Sequence, residues 1–264
     1  MLKVKKYLVL DTKKLGVAGL TDTRDRFVEF LKMSRLLGLT PVLPDLRLAS
    51  HHSERPNCRL QHYIEIPGWV VRGVPWFTPW WKVVRWHPTA GWLPDDILMK
   101  KHARDIASLD IPVEWNRRCQ EVARQVVSQM NKPICCVHVR RTDYLRIRPS
   151  LLQSTTPSHI AKVLERVRSR RPFRSVYVMT SEPDPLFFDA LRDVCDLRLD
   201  SDVPELHGLR SSDNYELYAI ECCIRDLCDV RVSTFDTKNA EPRYLPHHDP
   251  HYFEDHLDST PGYQ

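Results

Sequence analysis

Glycine is scarce in this chain, with 8 residues in 264 against the roughly 7% of an average protein. Neither G-x-G-x-x-G nor G-x-x-x-x-G-K-[ST] occurs, so no glycine-rich loop is available to cradle a phosphate. Long apolar runs are missing as well. None approaches the roughly 20 residues that span a bilayer, and Tyr7-Leu8-Val9-Leu10 is too short for the apolar core of a signal peptide. Location stays open between the secretory pathway, if a leader has been removed, and the cytoplasm. The eight cysteines include no C-x-x-C pair, which argues against a zinc site. They read as small core residues, with one or two disulfides an option for a secreted chain. Charge bias is weak: 39 basic residues face 34 acidic ones, for a net +5. The densest basic cluster, Arg166, Arg168, Arg170, Arg171 and Arg174, falls at a predicted helix end, where cations complement the helix dipole. It therefore reads as a solvated helix terminus and not as a nucleic-acid patch.

What remains is a globular composition, 42% hydrophobic and 28% charged, with one informative stretch. Ile134-Cys135-Cys136-Val137, set off by Pro133, reads as a buried strand. His138-Val139-Arg140-Arg141-Thr142-Asp143 follows directly, so two arginines emerge where the strand ends. Ligands of open α/β sheets bind beyond the carboxyl ends of strands, and a guanidinium fork suits phosphate oxygens. With no glycine-rich loop, a bound nucleotide must be held by arginines. The competing reading is an arginine–carboxylate pair that merely ties a strand end to the surface.

The pattern along the chain is α/β. Strands are predicted at 7–10, 40–44, 134–139, 175–179 and 230–232. Helices are predicted at 24–37, 114–130, from Thr156-Pro157 onward, through Leu186 to Leu191, and over 217–227 behind an Asp213/Glu216 capping box. Alternating units of this kind imply a parallel sheet. A stretch from 45 to 112 looks irregular and carries Trp69, Trp76, Trp80, Trp81, Trp86 and Trp92. These form either a binding wall for an acceptor or packing beneath long loops.

Three segments together resemble the fucosyltransferases that use GDP-fucose. Residues 137–143 fit their H-x-R-R-x-D signature; Val176-Tyr177-Val178-Met179-Thr180-Ser181-Glu182 is similar to their second Rossmann strand; 221–237 is similar to their acidic helix followed by V-S-T-F-S. Tyr7-Leu8-Val9-Leu10-Asp11, Gly19-Leu20-Thr21 and Arg24-Asp25 resemble the first strand and loop of the protein O-fucosyltransferases. The likeness covers about 6–44 and 131–243. It implies a GT-B-like architecture of two facing Rossmann-like domains with parallel sheets: an acceptor-side domain over 1–130, a GDP-fucose-binding domain over 131–243, and a tail over 244–264. It further implies transfer of fucose, with inversion and without metal or cofactor, to a hydroxyl of a protein or glycan.

Under this resemblance Arg140 grips the β-phosphate and glycosidic oxygen and stabilises departing GDP, a role that can be worth about 3–4 kcal/mol. His138 and Asp143 fix the arginine and the ribose or phosphate side, and Arg141 joins the nucleotide-sugar-binding set. Ser233, Thr234 and Phe235 reach the phosphates and flank the base. Glu221, at the edge of its helix's apolar stripe, loses solvation there and needs donors, which guanine N1–H and N2–H₂ supply; a salt bridge to an arginine is the alternative. His138 as a core histidine and Ser233-Thr234 as ordinary strand residues are likewise open. Two positions depart from the pattern. Ala18 replaces the catalytic Glu of one branch, and Asp236 stands where Ser is common. Asp22 and Asp25 are then the nearest candidate bases. The competing functions are a catalytically impaired nucleotide-sugar-binding protein and a metal-dependent glycosyltransferase using the D-x-D at Asp200-Ser201-Asp202.

Overall fold

Two parallel sheets organise the chain, one of three strands and one of four, in a computed structural model that describes residues 5–13, 15–89, 93, 96–139, 141, 145, 152 and 155–233. The contacts divide into two units, Met1–Arg117 and Arg118–Gln264.

In the first unit β1 (Tyr7–Leu10) leads to α1 (Leu20–Leu36) and β2 (Thr40–Pro41). The helix starts four residues before its predicted onset. Gly19 is the N-cap, and the Thr23 hydroxyl donates to its carbonyl at 2.8 Å. Asp22 consequently lies in the first turn, where a carboxylate complements the helix dipole. The helix stops at Gly38, whose φ of +64° suits a residue without Cβ, and Leu39 N–H closes onto the Ser34 carbonyl at 2.9 Å. β3 (Val83–Trp86) pairs in parallel with β1 across Tyr7↔Val83 to Leu10↔Trp86. It lies inside the stretch that looked irregular, so that expectation is corrected. Its last residue explains its stability: Trp86 is buried, and its indole N–H donates to Asp96 at 3.3 Å. α2 (Ile97–Lys101), capped by Asp96, and α3 (Ala103–Ala107) complete the unit.

The second unit opens on α4 (Arg117–Ser128). Its predicted start at 114 moves because Trp115 is held outside the helix, bridged to Ile64 with the Arg24 guanidinium 5.0 Å over its ring. The sequence placed this helix before a boundary at 130; Arg118 pairs with Glu216 at 3.0 Å and so ties it to the later elements. Then follow β4 (Ile134–Val139), α5 (Pro157–Arg170), β5 (Ser175–Thr180), a 3₁₀ turn at Pro185–Phe188 continued by α6 (Asp189–Arg192), β6 (Asp196–Arg198), α7 (Leu209–Ser212), α8 (Asn214–Leu227) and β7 (Val230–Ser233). Every residue of β4 and β5 is buried, as expected of parallel strands covered on both faces. Cys135, Val137 and Val139 share a core with Ile160, Val163, Leu164 and Val167 of α5. On the other face, the Tyr177 hydroxyl meets Glu221 of α8.

Helix caps follow the sequence with one correction. Thr156 accepts from His159 N–H at 3.3 Å, and Asp213 accepts from Glu216 N–H at 3.2 Å. The reciprocal half of the predicted capping box does not form. Asp213 N–H is already taken by the Leu209 carbonyl at 2.8 Å, which releases the Glu216 carboxylate to Arg118. The structure joins none of the eight cysteines in a disulfide, and seven are buried.

Candidate functional site

The second sheet runs in the order β6-β5-β4-β7. The chain steps outward from β4 to β5 and β6, then returns to lay β7 on the other side of β4. The order therefore reverses between β4 and β7, and ligands of doubly wound sheets bind at the carboxyl ends beside such a reversal. His138 of β4 and Ser233 of β7 are register partners there. His138 is buried at 6% exposure. Arg140, Asp143, Thr234, Phe235 and Asp236 lie outside the described residues, as does the tail, and Ser233 is described by its backbone only.

Arg141, which the resemblance counts among the nucleotide-sugar-binding residues, turns its guanidinium inward. Nε donates to Glu182 Oε2 at 2.8 Å, Nη1 donates to the Thr155 carbonyl and hydroxyl at 3.1 and 2.8 Å, and the guanidinium lies 4.2 Å from the centre of the Phe187 ring. Its backbone N–H donates to Ser181 Oγ at 3.2 Å, while the Thr180 hydroxyl donates to the Val139 carbonyl at 2.9 Å and accepts from Glu182 N–H at 3.0 Å. These bonds lace the carboxyl ends of β4 and β5 together. Arg141 is thus a clamp that fixes the edge from which Arg140 departs.

Beyond β5 the same edge opens into a pocket of about 190 Å³, walled by Phe188, Leu199 and Leu206 and edged by Thr180, Asp200 and Arg210. Arg210 grips Asp200 with two bonds, at 2.8 and 2.9 Å, and its Nη1 donates to the Thr180 carbonyl at 2.9 Å. Burial works against the Arg210 charge, but Asp200 more than compensates and holds its pKa above the usual value. Asp202 is gripped likewise by Arg192, at 3.0 and 2.9 Å. Both carboxylates of the D-x-D are therefore ion-paired, Asp200 by a two-nitrogen fork and Asp202 by a single guanidinium nitrogen.

Glu221 is 4% exposed, accepts from the Tyr177 hydroxyl at 3.3 Å and does not line the pocket. Burial, reinforced by the Asp200 charge and opposed by Arg210, pushes its pKa up to about 8. Among the described residues its hydrogen bond is to Tyr177, and the nearby Arg210 is committed to Asp200.

The first sheet, ordered β2-β1-β3, reverses between β1 and β3. At that carboxyl edge Asp11 Oδ2 and His87 Nδ1 are 2.9 Å apart. Asp11 also accepts from Lys13 N–H at 3.1 Å, and this bond together with His87 holds its carboxyl below the usual range. With Nδ1 held by a carboxylate, the exposed His87 ring is oriented as that of a histidine general base is. Sequence reading missed the pair because β3 was hidden among prolines and tryptophans. Of the carboxylates it chose instead, Asp22 is exposed near the start of α1, whereas Asp25 is buried at 6% exposure and is not presented to a substrate. The tryptophans divide: Trp86 is core, but Trp76, Trp80 and Trp81 are 95%, 81% and 63% exposed, so packing beneath loops does not explain them.

Two α/β units on parallel sheets, the second with its edge residues at a strand-order reversal, give the chain a GT-B-like fold. The solved structures that share it include POFUT1 in complex with GDP (TM-score 0.54, 14% identity, 87% of this chain and 91% of that one). POFUT1 in complex with GDP-fucose gives 0.53 at 13% identity over 87% and 90%. The fucosyltransferase NodZ from Bradyrhizobium gives 0.50 at 13% identity over 89% and 91%. No protein-family model and no curated protein sequence matches the chain. Among the described residues, no helix is long and apolar enough to cross a membrane.

Proposed function

We infer that the chain is a fucosyltransferase that takes GDP-fucose as donor and a protein or glycan hydroxyl as acceptor. The observation that carries this reading is the pairing of His138 with Ser233 at the strand-order reversal. It brings the ends of β4 and β7 side by side, which supports a diphosphate site there, in a fold shared with solved fucosyltransferase structures. Each role falls within one unit. In the second, Arg140 holds the diphosphate with His138, Asp143, Ser233 and Thr234, and Phe235 flanks the base. Strands lie roughly 4.8 Å apart, so the pocket beyond β5 is within a nucleoside's reach and takes the base. In the first, the His87–Asp11 pair takes the acceptor proton, with Asp22 as the alternative. The C1–O bond to GDP breaks as the acceptor oxygen bonds to C1 from the opposite face. The acceptor oxygen gives up its proton to a base, and the departing GDP keeps the bonding electron pair as an anion. No metal or cofactor is assigned a step.

Thermal unfolding with GDP, GDP-fucose, GDP-mannose and UDP-sugars tests the donor. A ligand at 100 times its Kd adds about 2.7 kcal/mol, so GDP and GDP-fucose are expected to raise Tm and UDP-sugars to leave it unchanged. Equal response to UDP-sugars overturns the guanine reading. GDP-fucose binding without transfer or hydrolysis makes the chain a nucleotide-sugar-binding protein, a reading favoured by Ala18. Loss of activity in EDTA with rescue by Mn²⁺ overturns the metal-free mechanism.

A further inference from the structure

A ridge of aromatic side chains on the first unit takes no part in the chemistry above. Trp76 is 95% exposed, Phe77 70%, Trp80 81% and Trp81 63%. The residues pair edge to face, Trp76 with Phe77 at 5.8 Å and Trp80 with Trp81 at 5.9 Å, at interplanar angles of 87° and 85°. Each aromatic of this size covers roughly 150–250 Å² when buried, so together they exceed the few hundred Å² of apolar patch that a typical monomer exposes. The backbone beneath is fixed. Thr78 N–H bonds the Pro75 carbonyl at 2.9 Å, Lys82 N–H bonds the Pro79 carbonyl at 3.0 Å, and the segment runs straight into β3. Two prolines and these turns hold the rings outward with little entropy left to lose on docking.

Charge selects the partner. From 66 to 94 the sequence has no Asp or Glu, while Arg72, Lys82 and Arg85 occur within it. Arg72 and Arg85 are exposed, Lys82 is half-buried, and among the described residues none of the three forms an ion pair. Aromatic wedges interspersed with basic side chains are what the boundary between lipid headgroups and acyl chains accommodates. The edge-to-face pairs present a ridge, whereas a sugar ring or a flat protein surface asks for a level platform. The four aromatic residues precede β3, with Arg85 on the strand and His87 beyond it, so docking through the rings leaves the carboxyl edge open. We propose that residues 72–85 form a membrane-surface contact that lays the first unit on an anionic lipid bilayer without spanning it.

The test is co-sedimentation of the full chain with phosphatidylcholine vesicles, with and without phosphatidylserine, read beside quenching of tryptophan emission by brominated lipid. The chain is expected to sediment with the phosphatidylserine vesicles, to be released by salt, and to be quenched. The W76S/F77S and W80S/W81S pairs are expected to weaken binding roughly tenfold or more, and R72E/R85E to abolish the preference for phosphatidylserine. All these side chains are exposed, so Tm is expected to be unchanged. No binding to either vesicle, or binding that survives the aromatic substitutions, overturns the proposal. So does a parent dimer that the aromatic substitutions dissociate, or capture of a soluble glycan that they abolish.

Discussion

The two sheets solve the same topological problem with different materials. In the second unit, β4 and β5 are six residues each, buried throughout and joined over six register pairs. In the first, β1 alternates half-buried with buried residues, β2 is two residues long, and β3 is recruited from a loop-rich stretch by the buried Trp86. The strand ends differ accordingly. The second unit fixes its edge with a closed lattice around Arg141, Glu182 and Thr155, whereas the first ends in a single solvent-facing pair, Asp11 and His87. A rigid edge suits a diphosphate, which must be held in one geometry. A sparse edge suits a proton acceptor facing substrates of different shape.

Substitution at Arg140 breaks the comparison hardest. A lysine keeps the charge but not the fork, so Arg140→Lys is expected to slow turnover by roughly 10²-fold or more with Tm unchanged; a near-normal rate removes Arg140 from the leaving-group role. On the other sheet, His87→Ala is expected to lower kcat by about 10²-fold and leave GDP affinity as it was. Asp11→Asn is expected to give a smaller loss, because the ring keeps its base but loses its orientation. If Asp22→Asn slows transfer and His87→Ala does not, the base is Asp22. Arg141→Met separates clamp from ligand contact: about 2 kcal/mol is expected to disappear from the urea unfolding free energy, and loss of GDP binding at full stability places Arg141 on the nucleotide after all.

Stability is also expected to depend on pH. Burial pushes the Glu221 carboxyl up to about 8 from its ordinary 4.5, so the folded state binds the extra proton between those values. Stability from this group is complete below about 4.5 and falls as pH rises towards 8, at up to about 1.4 kcal/mol per pH unit. Glu221→Gln is expected to flatten that slope, measured as urea midpoints at about pH 5 and about pH 8.5. A slope identical to the parent's rules out Glu221 as its source.

The difference between the sheets also explains what the sequence disclosed. Ile134 to Val139 and Ser175 to Thr180 are continuous apolar runs with helices of clear period behind them, so strands, helices and the arginine-bearing edge were legible locally. β3 and β6 were not. Val83 to Trp86 becomes a strand only because Trp86 finds Asp96, and Asp196 to Arg198 is three residues on a sheet edge. The site divides along the same line. His138 and Ser233 follow from strand register, but the inward turn of Arg141 depends on Glu182 and Thr155, 41 and 14 positions away. The Asp11–His87 pair spans 76 positions, and periodicity carries no information over that distance.

The free cysteines give the chain an internal record of its own motions. Cys58 is the one thiol of the first unit and accompanies the Tyr63 hydroxyl at 2.9 Å; the other seven belong to the second. Cys136, in β4, is pushed up in pKa by its hydrogen bond to Cys228 and by burial, and Cys223 is pushed up by burial and neighbouring thiols. Buried, protonated thiols react with an alkylating reagent only when the surrounding structure opens. Mass-resolved labelling therefore clocks each unit separately in one unmodified sample, one thiol counting openings of the sparse sheet and six buried ones those of the laced sheet.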